Sequence, residues 1–370
     1  MDRRSFLKSV AATGASAAFL NSVPRRAKAE SKSSSHGIVV DGLNGSALNE
    51  DYLGLMRKVG PYCEYKGIGF GDNQIGVFGQ VYDFAARNAK DVTVATSVRD
   101  IRDATDSGKI ALILGMQMAN VISDPMVKSN SYLTLTHNLR GYHQLGLRGL
   151  GICYNLNNIF GGGCMDHNVP LTRAGRRLVE EIHRLNIILD IGGHTAQQTS
   201  LDAIAMSKGV PVVCTHTNPA ALNPNPRCIS DRLAVAIAKT GGVIGITTIS
   251  DFHNLNAKTI PPNGAKIAQA TLAMHLDHYD HFKRLVGVDH VAMGTDFIWG
   301  RHFDEKPWIS ITFPPEASSA GEILPVKGFE NISQLPNLIH GLKGRGWSAS
   351  EIDKVLGGNW LRVYERVWGA

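Results

Sequence analysis

Two histidines each follow directly after a short apolar run, and together they are the strongest chemical signal in the chain. Residues 187–193 (IILDIGG) lead into His194, residues 210–215 (VPVVCT) lead into His216, and a helical pattern lies between the two runs. Short Ile- and Val-rich runs separated by a helix are typical of adjacent parallel strands. We therefore expect both imidazoles at the carboxyl ends of neighbouring strands, where they could share a metal ion. The alternative is that each histidine only caps its own strand.

Further polar side chains stand at or after the ends of other apolar runs. They are Gln117 after 109–116, Tyr154 and Asn155 at the end of 146–155, Arg227 in the loop after His216, and Asp296 in 290–297. His194, His216 and Asp296 could form a three-ligand metal site whose open position acidifies a bound water. Arg227 could hold a substrate carboxylate through two hydrogen bonds. Tyr154 could donate to a developing oxyanion, with Asn155 and Gln117 as further substrate contacts.

Eight strand-like runs alternate with helical patterns along most of the chain. The runs cover residues 37–43, 63–68, 109–117, 146–155, 187–193, 210–215, 242–249 and 290–297. This alternation predicts a single (β/α)8 TIM barrel over residues 37–370, with the strand ends above meeting at its catalytic face. Residues 298–327 show no periodicity, and we expect a long loop or lid there.

Two further motifs are weaker candidates for metal-ligand sets. The glycine-rich residues 157–170 (NNIFGGGCMDHNVP) are predicted to form a mobile active-site loop in which Asp166 and His167 are secondary ligand candidates. His275, His278 and His281 recur at helical spacing. Because acidic and aromatic residues surround them, a solvated or partly packed helix face is the favoured interpretation.

The amino-terminal residues 1–29 have the features of a Tat signal peptide. Twin arginines, Arg3 and Arg4, precede a weakly apolar run, and Ala27-Lys28-Ala29 forms a cleavage site. Cleavage there leaves a polar linker at residues 30–36, which we expect to be disordered. The prediction is a periplasmic protein that meets the Tat translocase only during export.

Charge and cysteine content limit the partners. Of the net charge of +6, residues 1–29 carry all but about one unit, so the mature chain gives no reason to expect nucleic-acid or membrane binding. The expected partner is a small-molecule substrate. Five cysteines without a C-x-x-C spacing leave disulfide formation open, but Cys153 and Cys214 lie within apolar runs and are predicted to be buried thiols.

The chain resembles the membrane (renal) dipeptidases, peptidase family M19, a branch of the amidohydrolase-type metal-dependent barrels. The resemblance extends from VVDG at 39–42 to VLGGNWLRV at 355–363. Its most specific segments are 146–155, 170–204, 211–227, 240–246 and 357–363. It implies a TIM barrel, an export signal, hydrolysis of dipeptides with two zinc ions, and a homodimer as a common state of the family.

Residue by residue, the resemblance is partial. It implies that His194 and His216 bind the second metal, that Arg227 holds the substrate carboxylate and that Asp296 handles the proton. One extra glycine precedes His194, and the family's histidine after the fourth strand is here Tyr154.

The other departures concern the family's first metal. The family's first-strand His-x-Asp is here Leu43 and Gly45, and its bridging glutamate is Gln117. Leu and Gly offer no side-chain ligand and an amide bridges poorly, so we expect at most one zinc or other divalent ion and no binuclear site.

Three functions remain open on the sequence. The first is a hydrolase of a dipeptide or another amide-bearing small carboxylate, with at most one metal ion. The second is a metal-free lyase or isomerase in which Asp296 and a histidine act as general base and acid. The third is a periplasmic binding or maturation protein without turnover, since a fold alone does not establish an activity.

Overall fold

The structure is a computed structural model that describes residues 37–68, 74–122, 132–253, 268–300 and 323–369. These residues belong to one compact unit, Ser34–Ala370. The predicted signal peptide (1–29), linker (30–36) and most of the predicted lid (298–327) lie outside the described residues.

Parallel strands form a nearly closed barrel. The strands are β1 Val39–Asn44, β2 Tyr62–Ile68, β3 Val92–Val94, β4 Ile110–Met116, β5 Leu147–Gly151, β6 Ile188–Asp190, β7 Val212–Thr217, β8 Ile244–Ile246 and β9 Val291–Met293. The order around the sheet is β1-β2-β4-β5-β6-β7-β8-β9, and the short β3 pairs with β4 off this path. At the closing edge, the Asp296 amide donates to the Leu43 carbonyl (2.9 Å) and the Gly45 amide to the Phe297 carbonyl (2.8 Å). The predicted (β/α)8 barrel is confirmed.

Helices alternate with these strands and cover the outside of the barrel. They are α1 Glu50–Met56, α2 Gln74–Arg87, α3 Val98–Asp106, α4 Tyr132–Gln144, α5 Arg173–Arg184, α6 Gln197–Met206, α7 Asp231–Lys239, α8 Leu272–Val286, α9 Leu335–Gly344, α10 Ala349–Asp353 and α11 Asn359–Trp368. In α5, Thr172 caps the first turn by accepting from the Gly175 amide, and Leu178 and Ile182 are buried on one face. Within the described ranges, no helix combines the length and apolar character that crossing a bilayer requires.

Two fully buried aromatic side chains pack against glycines of the barrel strands. A Cβ atom at Gly115 or Gly149 would lie 2.0 Å from the Tyr65 side chain, so both glycines leave space for that ring. Trp360 of α11 donates from Nε1 to the Met293 carbonyl (2.8 Å) and packs against Gly42. In barrels of this kind the active site lies at the carboxyl ends of the strands.

The histidine face of helix α8 is packed rather than solvated. His275 and His278 are buried, whereas His281 is partly buried and pairs with Asp231 (2.8 Å). A further histidine, His253, follows a 3-10 turn after β8; its Nε2 lies 2.9 Å from His275 Nδ1 and its ring stacks on that of His278. Of the two expected forms of this face, the solvated one is therefore wrong for His275 and His278 and the packed one applies, because a loop from β8 covers that side of the helix.

The five cysteines all lie in the described part of the chain and are free thiols. Cys153 and Cys214 are fully buried, as predicted.

Candidate active site at the carboxyl end of the barrel

The turn after β6 carries His194 to the mouth of the barrel. Gly192 and Gly193 adopt φ values of 35° and 68°, a left-handed conformation that favours glycine. At Gly193 a Cβ atom would also lie 2.6 Å from Nη1 of Arg227. The glycine pair noted in the sequence thus lets the chain turn sharply and leaves room for the guanidinium.

The two imidazoles of the sequence motif meet at this mouth. His194 Nε2 lies 2.9 Å from His216 Nε2, and both side chains are buried. Nη2 of Arg227 lies 2.9 Å from the same His194 Nε2. Because a guanidinium can only donate, Nε2 of His194 must be unprotonated, and its lone pair faces the site. The His194 Nδ1–H then donates to Oδ1 of Asn155 (2.7 Å).

The segments that follow β4 and β5 supply further contacts of His194. The Tyr154 ring stacks on the imidazole with centroids 3.7 Å apart. Asn155, with φ of 59°, turns its side chain back to Nδ1. The side-chain amide of Gln117 lies 3.1 Å from Nε2, and the NH2 end of that amide is the end that can donate to a lone pair. The structure thus brings Gln117, Tyr154 and Asn155 together around one histidine.

Arg227 is buried beside the imidazole pair. Its Nη1 donates to the Gly192 carbonyl (3.3 Å), and its guanidinium carbon lies 5.0 Å from the centre of the Phe252 ring. None of the ion pairs formed among the described residues involves Arg227. Burial and this cation together lower the pKa of both His194 and His216, so both imidazoles are neutral.

Asp296 lies just beyond β9 in a left-handed conformation (φ 55°), which is uncommon for a residue other than glycine. Loss of hydration raises the pKa of its carboxyl to about 7, while Arg227 acts to lower it and Asp41 to raise it. Among the described residues, no three His, Cys, Asp or Glu side chains stand close enough to hold a metal ion. The expected three-ligand set of His194, His216 and Asp296 is thus not found among these residues, and both this set and the proton-handling role of Asp296 stay predictions.

The positions of the family's first metal hold no suitable ligands. Leu43 is buried, and a Cβ atom at Gly45 would lie 3.9 Å from Oδ1 of Asp296. Leu43 and Gln117 both approach Gly67, at 3.5 Å and 3.1 Å from its Cβ position. These positions converge, but their side chains do not suit a binuclear centre.

A single ion fits the imidazole pair better. Two nitrogen ligands of a tetrahedral zinc ion stand roughly 3.3 Å apart, close to the 2.9 Å between the two Nε2 atoms. Small movements of the two rings would therefore accommodate one ion between them.

The glycine-rich loop contributes backbone rather than ligands. Asp166 accepts from the Asn157 amide (3.2 Å) and pairs with His167, whose side chain is 89% exposed. The Cys164 amide donates to the His194 carbonyl (2.7 Å). Asp166 and His167 thus shape the loop and are not placed with the imidazole pair.

Two polar residues near the site were missed by sequence reasoning. Asp190 and Thr215 form a buried chain of hydrogen bonds behind His216. The only sequence signal was a carboxylate and a hydroxyl inside otherwise apolar strands.

The chain is similar to several known proteins. A family model described as membrane dipeptidase (Peptidase family M19) matches residues 73–305 and 318–369. An uncharacterized protein in the pqqA 5′ region of Klebsiella pneumoniae is 30% identical over 62% of this chain and 76% of its own length. The dipeptidase ataJ of Aspergillus terreus is 25% identical over 74% of this chain, which spans 62% of that relative. An amidohydrolase from Pseudomonas aeruginosa, 28% identical, superposes with a TM-score of 0.79 over 90% of this chain and 97% of its own.

Proposed function

The chain belongs to the membrane dipeptidase family, peptidase family M19, and is a hydrolase of the dipeptidase type; from this premise we propose that it cleaves the amide bond of a dipeptide or another small carboxylate-bearing amide, with at most one metal ion. One observation carries the proposal. A buried arginine without an ionic partner among the described residues stands 2.9 Å from a buried imidazole pair. A substrate carboxylate is the natural partner for such a guanidinium, since the pair can form two parallel hydrogen bonds.

Binding of that carboxylate would place the substrate amide over His194 and His216. A cavity of about 200 Å³ lies beside the imidazole pair and is lined in part by Gly193 and Thr195, the chain neighbours of His194, and by Cys164.

The reaction needs an electrophile, a proton carrier and a donor to the amide oxygen. His194 and His216 would hold a zinc-class ion, which would supply Lewis-acid polarisation of the amide carbonyl. Asp296, with a pKa of about 7, is suited to take a proton from water and return it to the leaving nitrogen. Burial raises the pKa of Tyr154 far above neutrality, so its hydroxyl stays protonated and can donate to the developing oxyanion.

A metal-free lyase or isomerase is the second candidate, and one contact favours it. Arg227 already donates to the His194 lone pair that a metal ion would use. In that case the proton would pass between Asp296 and one of the two neutral imidazoles, which together would act as general acid and base.

Metal content and turnover of the purified protein distinguish these candidates. The assay covers a dipeptide and amide panel in zinc, in cobalt and in chelator, for wild type, His194→Ala and His216→Ala. The exposed His167→Ala is the matched control. We expect hydrolysis with at most one metal equivalent, lost in the first two variants and kept in the control. Turnover that persists in chelator would support the second candidate, and ligand binding without any turnover would overturn both.

We further propose that residues 1–29 direct the protein through the Tat translocase to the periplasm, where it forms a homodimer. The basis is the twin-arginine motif and the family resemblance. Replacing Arg3 and Arg4 by lysine should retain the unprocessed protein in the cytoplasm. Processing that is unaffected would contradict export by this route, and a monomer in light scattering would contradict the dimer.

A further inference from the structure

Asp190 and Thr215 form a fixed hydrogen-bonded unit behind His216. The Asp190 carboxylate ends β6 and is buried; its Oδ1 accepts from the amides of Gly192 (2.8 Å) and Thr215 (3.0 Å). Its Oδ2 lies 2.6 Å from the Thr215 hydroxyl oxygen. That oxygen in turn lies 2.8 Å from His216 Nδ1.

The single hydroxyl proton of Thr215 can serve only one of its two neighbours. A carboxylate is the stronger acceptor, and bonds to it are shorter than those between neutral groups. The 2.6 Å contact therefore places the proton toward Asp190. The hydroxyl oxygen is then left to accept from His216, whose Nδ1 must carry a hydrogen. In a neutral imidazole the other nitrogen, Nε2, is then bare.

The same conclusion holds for the partner imidazole. Arg227 donates to His194 Nε2, so the His194 hydrogen is on Nδ1. Two bare Nε2 atoms thus face each other at 2.9 Å. Lone pairs at this distance repel, so the arrangement is suited to a positive centre between or beside them.

We propose that Asp190 and Thr215 are positioning residues that hold His216 as its Nδ1–H tautomer, so that the Nε2 lone pair faces the site. The identity of the cation or proton that binds this lone pair rests on the proposed function. The tautomer itself does not depend on it. A hydrogen-bond acceptor at the far ring nitrogen is a known way to fix the tautomer and orientation of a metal-binding histidine; here that acceptor is the Thr215 hydroxyl, which Asp190 orients.

Asp190→Asn gives the sharpest perturbation. The side-chain oxygen must stay on the Oδ1 side, because two backbone amides donate there. The new NH2 group then faces Thr215 and donates to its hydroxyl oxygen. Thr215 would consequently donate to His216 Nδ1, and the hydrogen of His216 would move to Nε2. A carboxylate-to-amide change that inverts a histidine tautomer in this way has large effects on catalysis elsewhere.

The test is 15N NMR of histidine-labelled protein in chelator at one mildly alkaline pH, with the His216 signals assigned by their loss in His216→Asn. We expect wild type and Thr215→Ser to show a bare Nε2 and a protonated Nδ1, and Asp190→Asn to show the reverse. Zinc affinity should fall by about 10–100-fold in Asp190→Asn and stay near wild type in Thr215→Ser. Thr215→Val, checked for folding by circular dichroism, should mix the tautomers.

A protonated Nε2 in wild type, or an unchanged tautomer in Asp190→Asn, would overturn the proposal. Because the NMR measurement needs no substrate, a failure of dipeptide hydrolysis would leave it standing and would count only against the proposed function.

Discussion

Acidification should destabilise the fold through His253, which lies in a cluster outside the candidate site. Its Nδ1–H donates to the Ile249 carbonyl (2.8 Å), so its Nε2 accepts from His275 Nδ1 (2.9 Å). His278 stacks on its ring at 4.5 Å, and Asn218, the residue after β7, contacts it. Protonation of His253 at Nε2 would turn this acceptor into a donor that faces the Nδ1–H donor of His275.

The size of the effect follows from the pKa. Burial lowers the pKa of His253 from its ordinary value of 6.5 to about 4. Between these values the unfolded chain binds more protons than the native protein, so stability rises with pH. The contribution of neutral His253 to the free energy of unfolding is complete above pH 6.5 and is lost as pH falls toward 4. The full loss is about 3 kcal/mol, with a slope of about 1.4 kcal/mol per pH unit.

Urea unfolding at several pH values between 7 and 5 measures this slope. His253→Asn keeps an amide that can donate to Ile249 and does not titrate. We expect this variant to be less stable than wild type near neutrality. The slope of its unfolding free energy against pH should be smaller than that of wild type by about 1.4 kcal/mol per pH unit. His167→Asn, at an exposed position, is the control and should keep the wild-type slope. Parallel slopes for wild type and His253→Asn would refute the reasoning.

Three further outcomes test the site. Asp296→Asn should lower kcat/KM by about 10²–10⁴-fold and abolish its rise with pH near 7, where burial places the pKa of the carboxyl; a retained rise would exclude Asp296 as the base. Arg227→Lys should raise KM by about 10–100-fold for a carboxylate substrate, but not for its amidated analogue, and equal changes would contradict the carboxylate clamp. The triple variant Leu43→His, Gly45→Asp and Gln117→Glu should bind about one more zinc ion than wild type; unchanged metal content by mass spectrometry would show that these positions do not form the lost site.

The eight barrel strands were predictable because each one is a compact apolar run between helical patterns. β3 was missed since three residues, Val92–Val94, are too few to show a periodicity. The closing contact between Leu43 and Asp296 joins residues far apart in the chain. No local sequence pattern could therefore predict it.

The candidate site was predictable in its residue types and strand positions. Because parallel strands end on one face, His194 and His216 had to approach one another once the barrel closed. Their separation of 2.9 Å, and the contact of Arg227 with one of them, depend on the glycine turn and on packing around Phe252. Whether Asp296 forms a ligand set with the pair could not be read from its position after a strand.

The sequence by itself decided which atoms are available, since Leu43 and Gly45 cannot ligate a metal in any fold. The tertiary structure alone decided which lone pairs face the site and which histidines are buried. Helical spacing placed His275 and His278 on one side of α8, but their burial depends on His253, which comes from another element. Periodicity reports which residues share a face; what covers that face is set by contacts between distant segments.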